Sequence, residues 1–200
     1  MLEDLTFKSL GLVNYHETLE LMQSHVKSDD FKNEIWLLEH NPVFTLGTAA
    51  NRDHILDSRE IPVVKSDRGG EVTYHGPGQL VVYFMLDVKK LDFNPNKLVT
   101  FIQHFVKNLL LDLSIHSNFI GGAPGVYVEK KKIASIGLRI SNGKSYHGLS
   151  INFDMDLSPF KQINPCGYKG LEVIQIRDLN KDISKLQFQE MIIDLLRKVF

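Results

Sequence analysis

Apolar positions along the chain change period several times, and each change marks an element. Leu5 to Leu10 predicts a first strand. Tyr15, Leu19, Met22 and Val26 then recur at helical spacing behind Asn14, a residue suited to an N-cap. Ile35–Leu38 and Val43–Leu46 are short apolar runs divided by Asn41-Pro42, which reads as strand, turn, strand. Leu80 to Leu86 is rich in β-branched and aromatic residues, as a buried strand would be. Asn94-Pro95 places a cap and a first-turn proline before Leu98, Phe101, Ile102, Phe105 and Leu109, which share one helical face. Val126–Val128, Lys132–Ile140 and Leu149–Phe153 predict a second group of strands. Phe188, Met191, Ile192, Leu195 and Val199 form the stripe of a last helix. The order lacks a strict strand-helix-strand rhythm. It predicts an α+β fold, a mixed and largely antiparallel sheet packed by helices.

Composition narrows the class. The 200 residues are 43% hydrophobic and 24% charged, with 23 Lys and Arg against 24 Asp and Glu. Those proportions predict one soluble domain spanning residues 1–200, with no repeat or linker to divide it. The balanced charge gives no electrostatic reason to expect a nucleic acid or membrane partner. The opening Met1–Asp4 is acidic where a secretory leader is basic, so a cytoplasmic location is expected. One cysteine excludes an internal disulfide framework and any multi-cysteine metal site. No H-E-x-x-H pattern is present, no carboxylate pair stands out for glycosidase chemistry, and no metal or cofactor is expected.

Two segments carry candidate chemistry. Between Arg68 and Gln79 stand four of the chain's 14 glycines, directly before the Leu80 strand, interleaved with Arg68, Thr73, Tyr74, His75 and Gln79. Glycine weakens a strand but lets backbone approach a ligand closely, so the segment reads as a binding loop. Neither nucleotide fingerprint, G-x-x-x-x-G-K-[ST] nor G-x-G-x-x-G, fits it. Cys166 lies between Pro165 and Gly167, which sets its thiol on a turn. An unperturbed thiol is only a few per cent thiolate at neutral pH, so a nucleophilic role requires a nearby cation or base. Lys132, at the start of a strand of small and apolar residues, and His147 are both candidates, and spacing does not choose between them.

Four blocks then match a known pattern in order. Arg68-Gly69-Gly70-Glu71-Val72-Thr73-Tyr74-His75-Gly76-Pro77-Gly78-Gln79, with Tyr83, resembles the signature of the lipoyl(octanoyl) transferase family. Lys132–Gly137, His147–Asn152 and Ile163–Gly167 follow, and Leu38–Gly47 resembles the family's early strands. The resemblance implies the fold of biotin and lipoate protein ligases. It also implies the reaction: an octanoyl group passes from octanoyl-acyl carrier protein to one lysine of a lipoyl domain, as in 2-oxoacid dehydrogenases and the glycine cleavage H protein. By the same resemblance Cys166 is the acyl-thioester nucleophile and Lys132 lowers its pKa. Substrate contacts fall on Arg68, Gly69, Gly70, Glu71, Val72, Thr73, Tyr74 and His75, on Ser135, Ile136 and Gly137, and on Gly148, Leu149 and Ser150. Ser150 departs from the pattern, where alanine is expected. The competing expectations are an ATP-dependent ligase on the same fold, indifferent to Cys166, and a non-catalytic module that binds acyl chains.

Overall fold

A computed structural model describes residues 5–200, apart from the side chain of Cys166; the acidic opening Met1–Asp4 lies outside the described residues. The chain runs β1 (Thr6–Val13), α1 (Tyr15–Lys27), β2 (Glu34–His40), β3 (Val43–Leu46), β4 (Val63–Lys65), β5 (Val72–His75) and β6 (Gln79–Met85). It continues through α2 (Pro95–Asp112), β7 (Asn118–Ile120), β8 (Ala123–Val128), β9 (Lys131–Ser141), β10 (Lys144–Asn152), α3 (Ile176–Leu179) and α4 (Lys185–Val199). Seven strands make one sheet in the order β1-β2-β6-β10-β9-β8-β7, antiparallel except for the β1–β2 pair. A smaller sheet, β4-β3-β5, stands apart from it. The α+β class, the mixed sheet and the predicted helices are all present.

Burial explains the layers. Alternation along β6 sends Leu80, Val82 and Phe84 to one face, where they join Leu98, Ile102 and Leu109 of α2 and Phe188, Ile192 and Leu196 of α4. It sends Val81, Tyr83 and Met85 to the other, against Tyr15, Leu19 and Met22 of α1. Both faces are covered, which is why this strand reads as an unbroken apolar run. A third cluster of Phe44, Val72, Tyr74, Met155, Phe160 and Ile163 sits beneath the small sheet.

Local signals fix the helix starts. The Asn14 side chain accepts from the His16 amide at 2.8 Å, and that of Asn94 accepts from Lys97 at 2.9 Å. Ser184 and Gln187 form a reciprocal capping box at the start of α4. Two expectations change. The runs on either side of Asn41-Pro42 are strands, but β2 joins the large sheet while β3 pairs with β4 and β5 in the small one. The expected binding loop is irregular from Arg68 to Glu71 and again at the Gly76–Gly78 turn. Val72–His75, β-branched and aromatic, is a buried strand zipped to β3.

Candidate active site

A cavity of about 180 Å³ lies between the α1 face of the large sheet and the small sheet. Its wall is built from three strips far apart in sequence. Arg68, Gly70, Glu71, Val72, Thr73 and His75 supply one; Ser135, Ile136 and Gly137 of β9 the second; Gly148, Leu149 and Ser150 of β10 the third. The last two face each other in register, Gly148 opposite Gly137 and Ser150 opposite Ser135. Glycine is required at these crossings. A Cβ on Gly148 would stand 2.1 Å from the Val82 carbonyl oxygen, and one on Gly137 2.9 Å from that of Gly69.

Two of the expected contact residues lie behind the wall. Gly69 donates its amide to the Leu138 carbonyl at 2.9 Å and ties the first strip to β9. Tyr74, turned the other way on β5, packs its ring against Phe44 and Phe160. Arg68 is buried and its guanidinium holds the loop together. It donates to Thr45 Oγ1 and to the carbonyls of Thr45, Gly69 and Glu71, at 2.7 to 3.1 Å.

Lys132 is 2% exposed. Its Nζ donates to the Pro124 carbonyl at 2.8 Å and lies 5.4 Å from the centre of the Tyr127 ring. Pro124 itself lines the cavity. The backbone of Cys166 is the middle of a 3₁₀ turn, Pro165–Gly167, and the next residue, Tyr168, is part of the cavity wall. The chain beyond that turn runs alongside Lys132: the Lys132 amide donates to Glu172 and its carbonyl accepts from Ile174. The fold therefore brings the cysteine turn, the buried lysine strand and the cavity into one neighbourhood.

Residues 14–197 match the lipoyl protein ligase A/B catalytic domain family. The chain belongs to that family. It is 52% identical over 177 residues to an octanoyltransferase of Pseudomonas putida strain F1, covering 88% of this chain and 82% of that protein. It is 54% identical over 175 residues to an octanoyltransferase of Dechloromonas aromatica, covering 86% and 85%. Among solved structures it superposes on lipoate-protein ligase A bound with ATP at a TM-score of 0.79, with 15% identity, over 99% of this chain and 85% of that one. Biotin protein ligase from Aquifex aeolicus follows at 0.57 and 13%, over 99% and 69%. The expected kinship of fold with lipoate and biotin ligases is present.

Within this lipoyl ligase family domain, residues outside the expected contact set also line the cavity. Tyr15, Tyr83, Gly122 to Pro124 and Tyr168 line it. Behind them, His40 donates Nδ1–H to the Val13 carbonyl and accepts the Tyr83 hydroxyl at 2.7 Å; burial pushes its pKa down to about 4. His75 Nδ1 donates to Gln79 Oε1 at 2.7 Å, because the Gln79 amide nitrogen is already spent on Tyr74 and Asn152. Burial keeps this imidazole neutral as well. Asp67, one residue before the first strip, accepts from His147, Tyr146 and Gln23. Those hydrogen bonds, foremost the one from His147, overcome its partial burial and hold its carboxyl well below the usual range. The wall is thus polar and uncharged at its histidines, with one anchored carboxylate behind it. Adjacency alone pointed to Asp67 and Tyr168, each next to a residue already singled out.

Proposed function

We propose that this protein is a single-domain cytoplasmic acyltransferase of protein lipoylation. It moves an octanoyl group from octanoyl-acyl carrier protein to one lysine of a lipoyl domain, through a thioester on Cys166. The observation that carries the reading is the relationship to octanoyltransferases at 52–54% identity over most of the chain. The site supports it. The apolar parts of the wall suit an acyl chain, and burying its six methylenes is worth about 5 kcal/mol at about 0.8 kcal/mol each. The three strips are the substrate contacts of this reading: Arg68, Gly70 to Thr73 and His75; Ser135 to Gly137; and Gly148 to Ser150.

The Lys132 ammonium stabilises a thiolate on Cys166 by charge attraction. That thiolate attacks the donor thioester and expels the carrier's thiol. One thioester replaces another of nearly equal energy, so no nucleotide is consumed. The acceptor amine then attacks the enzyme thioester, forming an amide and returning the sulfur as thiolate beside Lys132. Acceptors of this chemistry include the lipoyl domains of 2-oxoacid dehydrogenases and the glycine cleavage H protein.

Incubation of the protein with octanoyl-acyl carrier protein and an apo lipoyl domain, without ATP, tests this. Octanoylation of the domain is expected. Modification only when ATP and free octanoate are supplied would favour a ligase instead, and binding of the donor with no transfer would favour an acyl-binding module.

A further inference from the structure

The cavity has a closed end and an open end. Tyr15, His75, Tyr83 and His147 close it, all buried and packed ring against ring, Tyr15 on His75 with centroids 5.8 Å apart and Tyr83 on His147 at 5.9 Å. The lining at the other end reaches solvent. Gly70, Gly122 and Pro124 are exposed, Tyr168 is 47% exposed and Glu71 is half-buried. The Tyr168 hydroxyl donates to the Gly122 carbonyl at 3.3 Å and joins two parts of this rim. Tyr168 also ends the 3₁₀ turn that holds Cys166. The mouth of the cavity and the cysteine turn therefore lie at the same end.

Glu71 is held against that turn. Gly167, the residue after Cys166, packs so that a Cβ built on it would stand 3.5 Å from Cγ and Cδ of Glu71. His54 Nε2 flanks the same position at 3.5 Å, outside the cavity lining. Oε2 of Glu71 accepts from the Asn51 amide at 3.3 Å, and no hydrogen bond engages Oε1 among the described residues. Among the described residues that line the cavity, Glu71 is the one with an acidic side chain. Two buried cations lie close by: Arg68, which donates to the Glu71 carbonyl, and Lys132, whose Nζ rests on the Pro124 carbonyl at the rim. A free lysine side chain is protonated at neutral pH, so both cations repel it as it approaches. A carboxylate at the mouth offsets that repulsion.

We propose that Glu71 is the binding residue for the acceptor, taking the ammonium of the incoming lysine on Oε1 at the cavity mouth and setting it beside the cysteine turn. This rests on the octanoyl-transfer reading. The octanoyl chain is uncharged and gains nothing from a carboxylate, so Glu71 separates the two substrates: it serves the amine and not the acyl group. A half-buried charge at a rim acts mainly on capture of the partner, and its effect weakens with salt.

The experiment saturates the reaction separately with octanoyl-acyl carrier protein and with an apo lipoyl domain, by rapid quench and intact mass, in wild type, Glu71→Gln and Glu71→Asp. Glutamine keeps the length and an oxygen for the Asn51 amide and removes the charge; aspartate keeps the charge. In Glu71→Gln the half-saturating concentration of the lipoyl domain is expected to rise about tenfold at low ionic strength, and that of the donor by less than about twofold. Added salt should narrow the acceptor difference, and Glu71→Asp should lie nearer wild type than Glu71→Gln does. Hydroxylamine, a nucleophile uncharged at neutral pH, should cleave the octanoyl-enzymes of wild type and Glu71→Gln at the same rate. Unchanged acceptor saturation in Glu71→Gln, an equal rise for donor and acceptor, or a matching loss towards hydroxylamine overturns the assignment. A wild-type protein that never forms an octanoyl-enzyme overturns the transfer reading itself, and this is seen before any variant is made.

Discussion

Gly125 sits in β8 at a φ of +146°, where a Cβ would stand 2.4 Å from Cε of Lys132 and 3.0 Å from its Nζ. The lysine proposed to activate the thiol is therefore seated by the absence of a side chain on the neighbouring strand. Gly125→Ala is expected to displace that ammonium and raise the pKa of the Cys166 thiol. The rate of iodoacetamide alkylation against pH reads this directly: its midpoint should move upward in Gly125→Ala and in Lys132→Ala, and an unmoved midpoint in both would defeat the activation role. Lys132 was legible in the sequence only through the family resemblance, since composition and spacing left it level with His147. Gly125 was not legible at all, because its role is a contact across a strand pair and leaves no local pattern. Arg68 was legible as important, but the donors that clamp Thr45 and Glu71 depend on a loop geometry that only the fold supplies.

At the scale of elements, α1 links stability to the site. It begins at the Asn14 cap, and it presents Tyr15, whose hydroxyl lies 2.7 Å from Ser66 Oγ, and Gln23, which donates to Asp67 at 3.0 Å. Asn14→Ala leaves two amides uncapped and is expected to cost about 1 kcal/mol, a fall in Tm of about 2–4 °C for a chain this size. Thermal unfolding followed by circular dichroism checks it, and an unchanged Tm would show the cap to be idle. Helices were readable because their signals are local: an asparagine before a 3.6-residue stripe suffices. The three-residue strands β4 and β7 were not, being too short to show a period. Nor was the parting of β2 and β3 into different sheets, since a strand's partner is a non-local choice that neither run encodes. Val72–His75 shows the same limit in reverse: flanking glycines suggested loop, while pairing with β3 made strand.

The whole molecule carries a pH response set by its buried imidazoles. Burial depresses the pKa of His40 to about 4 and lowers those of His75 and His147, so all three fold as neutral bases. In the unfolded chain the same groups take up protons near their ordinary value of about 6.5. Below that pH the unfolded state binds more protons than the folded one, and stability must fall as pH falls from about 6.5 towards 4. Asp67, depressed below its ordinary range, adds a further loss at more acidic pH. Tm should therefore drop steadily between pH 7 and pH 4.5, with proton uptake on unfolding, and a flat Tm across that interval would contradict neutral burial of the histidines. At this scale the class of fold was legible from periodicity, and the family from four collinear blocks. The meeting of residues 68–75, 135–137, 148–150 and the Cys166 turn around one cavity was not, because the β9–β10 hairpin joins only two of these segments and the others reach them through contacts far apart in sequence. The measurement closest to the central claim is the intact mass of the protein after mixing with octanoyl-acyl carrier protein alone. The account predicts the gain of one octanoyl group, released by hydroxylamine, located on the peptide containing Cys166 and absent from Cys166→Ala. Transfer to a lipoyl domain that proceeds normally in Cys166→Ala, with no adduct in either protein, would contradict it.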